Sequence, residues 1–597
     1  MCGIIGYIGK DKFFDFAKQG LKNLEYRGYD SAGLAYQYKG KICIKKSVGE
    51  VDKLFLDVNF KQNVDCGIGH TRWATHGKPC EKNCHPHKSQ DGEFALVHNG
   101  IIENYNELKE KYLQGVTLKS NTDTEIIPNL MSYFYKQTKD VLVSIKKTIT
   151  LLKGNFALAI LHKGESDTIF FARKDSPLVI GKAKDEVYIS SDLVGFGDKV
   201  EKYLFVKNNS YGFITKRNIK QFDLNNKEIE NIFSNRVEQT FKFGKGSFPY
   251  YMLKEIYEVP LAIKETAKIY SSENNPLKQI PRSVIRKAKQ IVIIACGTSY
   301  HAGLIGEKYI KEICDIDCKV LVANEFIYNK EIINKHTLCI FISQSGETAD
   351  TLSAVRKAKS LKAKTIAITN VTTSAITRLC DYTLPIKAGP EIGVASTKAY
   401  NAQLVCLLIL AKYISKANNK TSIITDIVNF ADSICPKKIN DSVLPLVAQL
   451  NKSQNIYFVG KNYDYITCLE ACLKIKEISY IPCEAYPAGE LKHGTLALVT
   501  DNVPVVAIIT EKELIDKTMP IINQVKARGG KVYIFSCFDL SKYDTSNCEV
   551  IKMQEVDCYF SPIVNIIYFQ LLAYNIALSL GYNPDRPRNL AKSVTVE

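Results

Sequence analysis

Several things are scarce in this chain, and each shortage removes a class of function. The longest apolar helix expected from the pattern, around Gln403 to Ile414, is too short and too interrupted to cross a bilayer. No membrane partner is expected. The start has no basic stretch followed by an apolar one, so it does not read as a secretion signal. Its 18 cysteines are then expected as free thiols in the reducing cytoplasm rather than as disulfides. A Gly-x-x-x-x-Gly-Lys loop is absent, which disfavours a nucleoside triphosphate as ligand. Acidic residues are the minority sign, 62 against 79 basic ones, for a net charge of +17. The lysines are nevertheless scattered, no DNA- or RNA-binding signature accompanies them, and no nucleic-acid partner is expected. A basic surface suits phosphorylated or carboxylate metabolites equally well.

With 597 residues and 46% hydrophobic ones, the chain can bury several cores, and two or three large units are expected. Its first residues are Met1-Cys2-Gly3-Ile4-Ile5-Gly6-Tyr7-Ile8-Gly9. Cys2 is small enough for Met1 to be trimmed, which would leave a free α-amino group beside the thiol. Such an amine titrates near pH 8 and is a recognised base for a terminal nucleophile. The rest of the stretch reads as a buried strand whose glycines permit close backbone approach. Taken alone, Cys2 is equally a small apolar residue at a frayed terminus.

Three later segments supply what such a nucleophile needs. The stretch from Gly67 to Gly77 reads as one loop holding His70, Arg72, Trp73 and His76. Phe94 to Gly100 reads as a strand ending in an Asn-Gly turn, with a helix expected from Glu103 to Tyr112. Asn121 to Glu125 reads as a helix N-cap with a carboxylate three residues on. The Asn99 side-chain amide and the Gly100 N–H can hold an oxyanion. Arg72 offers a planar fork for a carboxylate, and Asp123 an acceptor for an ammonium. Cys80, Cys84, His85 and His87 lie close together but lack a second ligand pair, so no metal is expected.

Together, Cys2-Gly3-Ile4, His70 to Gly77, His98-Asn99-Gly100 and Thr122 to Glu125 resemble class II glutamine amidotransferases of the N-terminal-nucleophile type. That resemblance implies an α+β, four-layer αββα domain over residues 2–236. It makes Cys2 the nucleophile, with Asn99 and Gly100 as oxyanion hole. Arg72, Thr75, His76, Gly100 and Asp123 would hold glutamine, and Trp73 would gate the passage of ammonia.

From residue 237 the chain turns polar, and 237–280 reads as a linker with an entry helix. Beyond it strands alternate with long helices, the pattern of parallel α/β sheets. Ile291 to Ser299 is a buried strand running into a Gly-Thr-Ser loop, and Leu338 to Thr348 repeats that grammar with Ser-Gln-Ser-Gly-Glu-Thr. Short hydroxyls and N–H groups at a strand end and helix N-terminus suit a phosphate. Ile456 to Gly460 and Val503 to Ile509 look like a second copy, an internal duplication. On the helix Cys468 to Ile478, Glu470, Lys474 and Glu477 share one face. Because the rest of that helix is apolar, the stripe is expected to be buried and to face a polar cavity. His493 adds an imidazole suited to proton traffic.

The paired loops resemble sugar isomerase (SIS) domains. Glu391 to Ala399, the Lys474 helix, Gly489 to Gly494 and the tail from Arg586 resemble the glucosamine-6-phosphate synthase family, in its compact bacterial form without an inserted regulatory segment. The resemblance implies two tandem SIS domains, 281–425 and 449–585, with doubly wound parallel sheets, and a catalytic tail over 586–597. It places phosphate on Ser343, Gln344, Ser345 and Thr348. The Cys296, Gly297, Thr298 and Ser299 loop, with Val394, Ser396 and Ala591, completes the sugar site. His493 would help open the ring, Lys592 would form an imine with the ketose, and Glu477, beside Lys474, would move a proton between C1 and C2. Glutamine and fructose 6-phosphate are the expected substrates, with no cofactor, and a homodimer is expected. Two rivals remain in the residues themselves: an amidotransferase with a phosphoribosyl or asparagine-type acceptor, and a sugar-phosphate-binding regulator with a dead glutaminase.

Overall fold

The computed structural model describes residues 2–10, 12–57, 63–73, 77–235, 244–372, 374–415 and 420–594. Two units divide the chain, one running to residue 238 and the other from 239 to 592.

In the first unit, antiparallel pairing builds two sheets. Gly3–Ile8 lies at the centre of one, between Val187–Ser190 and Cys66–Arg72. Phe94–Ile102 belongs to the other and pairs with Gly154–His162 along its whole length. Alternation along each strand sends one set of side chains between the sheets, where Ile4, Ile8 and Ile68 meet Val97, Ala159 and Phe171 with no exposed surface. The opposite faces are covered by helices. Phe13–Leu24 lays Phe13, Ala17 and Leu21 against Ile5 and Tyr7. Ile126–Thr138 and Val141–Leu151 lay Leu130 and Ile145 against Leu96 and Leu158. The result is the helix–sheet–sheet–helix order.

Two expectations are corrected here. Asn99-Gly100 is not a terminal turn; the strand continues through it to Ile102, with Asn99 opposite Ala157 and Gly100 opposite Phe156. The full-length neighbouring strand overrides the local turn preference of that dipeptide. Likewise Cys66–Arg72 is a strand rather than loop, so His70 and Arg72 project from a rigid sheet.

The second unit carries two five-stranded sheets in which every pairing is parallel. Their order is the same. In the first it is Cys318–Val322, Gln290–Ala295, Thr337–Ile342, Lys364–Thr369 and Tyr382–Pro385; in the second it is Cys483–Pro487, Ile456–Gly460, Pro504–Ile509, Lys531–Ser536 and Cys548–Lys552. Identical order in two consecutive segments is the internal duplication. In both, the strand order reverses beside the first strand, which makes the carboxyl ends of the first and third strands the ligand crevice of such sheets. One apolar cluster joins the two copies through the helices Lys398–Ile414, Tyr463–Ser479 and Ser561–Ser579.

The last of these corrects the sequence reading. Among the described residues, the long and strongly apolar helix is Ser561–Ser579 and not the segment near Gln403; it has a mean hydropathy of 1.4 and nearly all of its residues are buried. It is a core helix packed against the helices Tyr463–Ser479 and Pro436–Leu450, apolar nearly all round because it is covered nearly all round.

Candidate functional site

The first cluster gathers where the two sheets of the amino-terminal unit end. A pocket there is lined by Cys2, Arg72, Trp73, Gly100 and Asp123, together with His85, His98, Thr122 and Thr124. The Cys2 Sγ accepts the Trp73 N–H at 3.3 Å, and the Asn99 Nδ2 donates to the Cys2 carbonyl at 2.9 Å. Burial pushes the Cys2 thiol up, only partly offset by nearby positive charge and the Trp73 N–H. Asp123 does not cap the following helix. Its Oδ2 accepts the Ile102 N–H at 2.7 Å, tying it to the strand that carries Gly100, while Glu125 takes the N–H groups of Lys119 and Ser120. Arg72 is buried and donates to the Gly77 carbonyl at 3.1 Å. The Trp73 ring stands edge-on to Tyr29 with centroids 5.5 Å apart. Thr75 and His76 lie outside the described residues.

Sequence reasoning missed how the Asn99 amide is aimed. The His70 Nε2 lies 3.0 Å from the His98 carbonyl and 3.1 Å from the Asn99 Oδ1. A carbonyl only accepts, so Nε2 carries the proton, and the Asn99 oxygen shares it. The Asn99 NH₂ is thereby turned toward Cys2. Burial pushes the His70 imidazole down to about 3, so it stays neutral and this tautomer persists at working pH. His85 and His87 are also driven well below their ordinary value by burial. His85 stacks on His70 at 4.2 Å, and His87 meets the Thr122 hydroxyl at 3.1 Å. Among the described residues no three of His, Cys, Asp and Glu converge as metal ligands.

The second cluster lies at the crevice of the first parallel sheet. Its third strand ends at Ile342, and residues 343–348 turn into the helix Ala349–Ser360. The Ser343 hydroxyl accepts the Gly346 N–H at 3.0 Å and lies 2.9 Å from the Thr348 hydroxyl; the Ser345 hydroxyl accepts the Glu347 N–H at 3.2 Å. Gln344 is held through its carbonyl by the Asn370 N–H at 3.2 Å. Gly346 has φ +66°, and a Cβ there would meet the Ser374 hydroxyl at 2.0 Å. The loop is therefore a fixed cup of hydroxyls and N–H groups over a helix N-terminus, which suits an anion.

The first strand ends beside it, and Cys296 leads into the helix Gly297–Cys314. The Ser299 hydroxyl accepts from the Gln403 side chain at 3.1 Å. Thr298 reaches the second copy: its hydroxyl accepts from Lys474 Nζ at 3.0 Å and donates to Glu470 Oε1 at 3.0 Å. Lys474 also binds Glu477 at 2.6 Å and Glu470 at 3.3 Å, and His301 Nδ1 donates to Glu470 at 2.6 Å. Glu470 and Lys474 have no exposed side-chain surface, while Glu477 keeps 22%. The stripe read from the sequence is buried, with Glu477 as its accessible end. Burial works against the Glu470 charge, but the Lys474 ammonium, with the His301 and Thr298 bonds, holds its carboxyl below the ordinary range.

Lys592 is placed against a further carboxylate, that of Glu391. Its Nζ donates to Glu391 Oε2 at 2.6 Å, with both side chains buried. Ser396 donates to the same oxygen at 3.0 Å, and the Val394 N–H reaches the Asp585 carbonyl at 3.2 Å. Ala591 is half-buried beside Lys592. His493 ends the short helix Ala488–His493 and is exposed in the single chain.

In the second copy the corresponding crevice is filled. The Thr510 N–H donates to Asp464 Oδ2 at 2.8 Å, and its hydroxyl to Asp464 Oδ1. At the matching strand end of the first copy, the Ser343 N–H instead donates to the Ile368 carbonyl at 3.0 Å. Burial pushes the Asp464 carboxyl up to about 7, offset in part by the Thr510 bonds.

Comparison with known proteins places these geometries. A family model described as "SIS domain" matches residues 284–413 and 449–580, and one described as "Glutamine amidotransferase domain" matches 70–197. The chain is 41% identical to a Clostridium tetani protein named glutamine–fructose-6-phosphate aminotransferase (isomerizing), and 40% identical to its Bacillus subtilis namesake; each alignment covers 100% of both chains. Among solved structures, the C-terminal domain of the Francisella tularensis glucosamine-fructose-6-phosphate aminotransferase aligns at 36% identity and TM-score 0.53, covering 58% of this chain and 100% of that one. The tagatose-6-phosphate ketose/aldose isomerase of Escherichia coli, at 17% identity and TM-score 0.51, covers 59% of this chain and 99% of its own and shares the fold.

Two tests follow from this geometry. Gly100 has φ +133°, and a Cβ there would meet the Asn155 carbonyl at 1.9 Å. Gly100→Ala should cost about 2 kcal/mol or more in a denaturant melt of the amino-terminal transition; an unchanged midpoint contradicts the close approach. Asp464 holds its proton in the folded chain from 3.8 up to about 7, where the unfolded chain has lost it. That contribution is full below 3.8 and declines until about 7. Asp464→Asn should therefore flatten the fall in melting temperature over that interval, and parallel wild-type and variant profiles would rule out the assignment.

Proposed function

The chain belongs to the isomerising glutamine–fructose-6-phosphate aminotransferases, and from that membership we propose how its residues share the reaction. The chain hydrolyses L-glutamine and transfers the ammonia to D-fructose 6-phosphate, giving L-glutamate and D-glucosamine 6-phosphate. The observation that carries the assignment of roles is the buried cluster of Thr298, Glu470, Lys474 and Glu477 beside the Ser343 cup.

In the amino-terminal pocket, the α-amine freed when Met1 is removed takes the thiol proton of Cys2. The thiolate attacks the glutamine side-chain amide. Its developing oxyanion is held by the Asn99 NH₂, which His70 aims, and by the Gly100 N–H. Arg72 receives the glutamine carboxylate and Asp123 its ammonium, with Thr75 and His76 completing the grip. Water then releases glutamate from the thioester, and Trp73, which lines the same pocket, gates the ammonia.

At the sugar site, Ser343, Gln344, Ser345 and Thr348 take the phosphate, and the 296–299 loop, Val394, Ser396 and Ala591 surround the sugar. Lys592 forms an imine with the opened ketose, which ammonia displaces. Glu477, paired with Lys474, moves the proton from C1 to C2. His493, exposed on its own chain, serves the ring-opening step in a second copy, so the active form is a homodimer acting in the cytoplasm.

Glucosamine 6-phosphate formation from fructose 6-phosphate, with glutamine or with ammonium salt, tests the division of labour. Cys2→Ala should abolish the glutamine-driven reaction, and Lys592→Ala should abolish sugar conversion while sparing glutamine hydrolysis. Wild-type glutamine hydrolysis without any sugar amination would refute the acceptor, and binding of fructose 6-phosphate without turnover would favour a regulator.

A further inference from the structure

The carboxylate of Glu391 is built into the sugar half of the chain more firmly than a surface partner for a lysine requires. Its side chain has no exposed surface. One oxygen accepts the N–H groups of Thr397 at 2.9 Å and Ala399 at 3.0 Å, at the start of the helix Lys398–Ile414. The other accepts the Ser396 hydroxyl at 3.0 Å and Lys592 Nζ at 2.6 Å. Four donors leave Glu391 no freedom to swing away, so the lysine, on a tail segment, is the partner that must move.

A lysine can add to a carbonyl only as the free amine. In this chain the proton it must lose already points at Glu391. We infer that Glu391 is a catalytic acid–base for imine formation at Lys592, an inference that rests on the proposed role of that lysine. The proton passes from the Lys592 ammonium to the Glu391 carboxylate. The freed nitrogen pair adds to C2 of the open-chain ketose, and the carbonyl oxygen takes a proton from that nitrogen to give a carbinolamine. Glu391 then returns its proton to the C2 hydroxyl, which leaves as water while the nitrogen pair forms the C=N bond. One ammonium and one ketone become one iminium and one water, and Glu391 ends ionised as it began.

The surroundings suit a carboxyl that alternates between charge states. Glu255, on the helix Tyr251–Tyr257, accepts the Gly393 N–H at 3.2 Å. Burial and the Glu391 charge push the Glu255 carboxyl up to about 8. Glu255 is thus mostly neutral while Glu391 is ionised, and like-charge repulsion inside the site is avoided. Lys398, buried at the head of its helix, pairs with Glu258 at 2.7 Å and supplies the remaining nearby positive charge. For Glu391 itself, burial opposes the charge, but Lys592 and the Thr397 and Ala399 N–H groups hold its carboxyl below the ordinary range.

Borohydride trapping of the imine, read by mass spectrometry on the full-length enzyme with fructose 6-phosphate, tests this over a range of pH. Wild type should yield a reduced sugar adduct on Lys592. Glu391→Gln should slow adduct formation by about 100-fold or more, the usual scale of general acid–base catalysis. The loss should persist at high pH, where the lysine amine is free without help, because dehydration still lacks its acid. Glu391→Asp should restore part of the rate. Glutamine hydrolysis by each variant, which depends on the other unit, and fructose 6-phosphate binding together report that the variant has folded. If Glu391→Gln regains the wild-type trapping rate at high pH, Glu391 is only a counter-ion and the inference falls. If wild type gives no adduct on Lys592, the lysine assignment itself fails first and takes this inference with it.

Discussion

A lysine ammonium with no contact with water sets the terms for the carboxyl-terminal unit. Burial alone would strip the proton from Lys474, and isolated charges in such surroundings are costly by several kcal/mol. The Glu470 and Glu477 carboxylates more than offset that and hold Lys474 charged. Glu470 must then be satisfied in turn, and Thr298 and His301 do so from the first copy of the duplicated domain. Removing Lys474 would leave Glu470 buried without its ion-pair partner. The two copies are thereby held in one register by polar chemistry as well as by the apolar cluster around Ser561–Ser579. Glu477, the one member of the charged stripe with substantial exposed surface, keeps its contact with solvent.

The amino-terminal pocket solves the opposite problem. Its buried imidazoles are kept neutral, so they act as fixed dipoles rather than charges. A neutral His70 with one proton on a known nitrogen specifies which end of the Asn99 amide faces Cys2. A charged imidazole there would carry a second proton and gain mobility at each change of pH. Preorganised dipoles of this kind stabilise developing negative charge without reorganising during the reaction. One unit therefore relies on compensated charge and the other on oriented neutrality.

Most of the fold and much of the site were legible from residues alone, for a physical reason. Strands of a parallel sheet end in short loops, and a reversal of strand order leaves a crevice between two of them, so Cys296 to Ser299 and Ser343 to Thr348 mark the topology. The helical stripe of Glu470, Lys474 and Glu477 was equally readable, because charges repeating every third or fourth residue on an apolar helix have one place to go. What was not legible depends on long-range pairing. The Asn99-Gly100 dipeptide is a turn by local preference and a strand interior because Ala157 and Phe156 lie opposite. Glu391 sits inside a recognisable motif, yet nothing local announces that a lysine 201 residues away will close on it. His70 likewise acquires its meaning from a carbonyl on another sheet.

Duplication poses a last question: how two copies of one architecture come to differ at the end of their third strands. The answer lies in what fills the carboxyl end of the third strand. In the first copy, the Ser343 and Thr348 hydroxyls bond to each other and the Ser343 N–H to the Ile368 carbonyl, with no side-chain carboxyl in those bonds. In the second, Asp464 comes from the first helix and takes the Thr510 N–H and hydroxyl for itself. Burial drives that carboxyl toward the protonated form, so no counter-ion need be built beside it. Once its own crevice is closed, the second copy is free to serve the first. Its helix from Tyr463 to Ser479 turns Glu470, Lys474 and Glu477 toward Thr298 rather than toward a ligand of its own. The asymmetry thus turns on one side chain: the copy with Asp464 at its third strand supplies the charged residues beside the other's crevice.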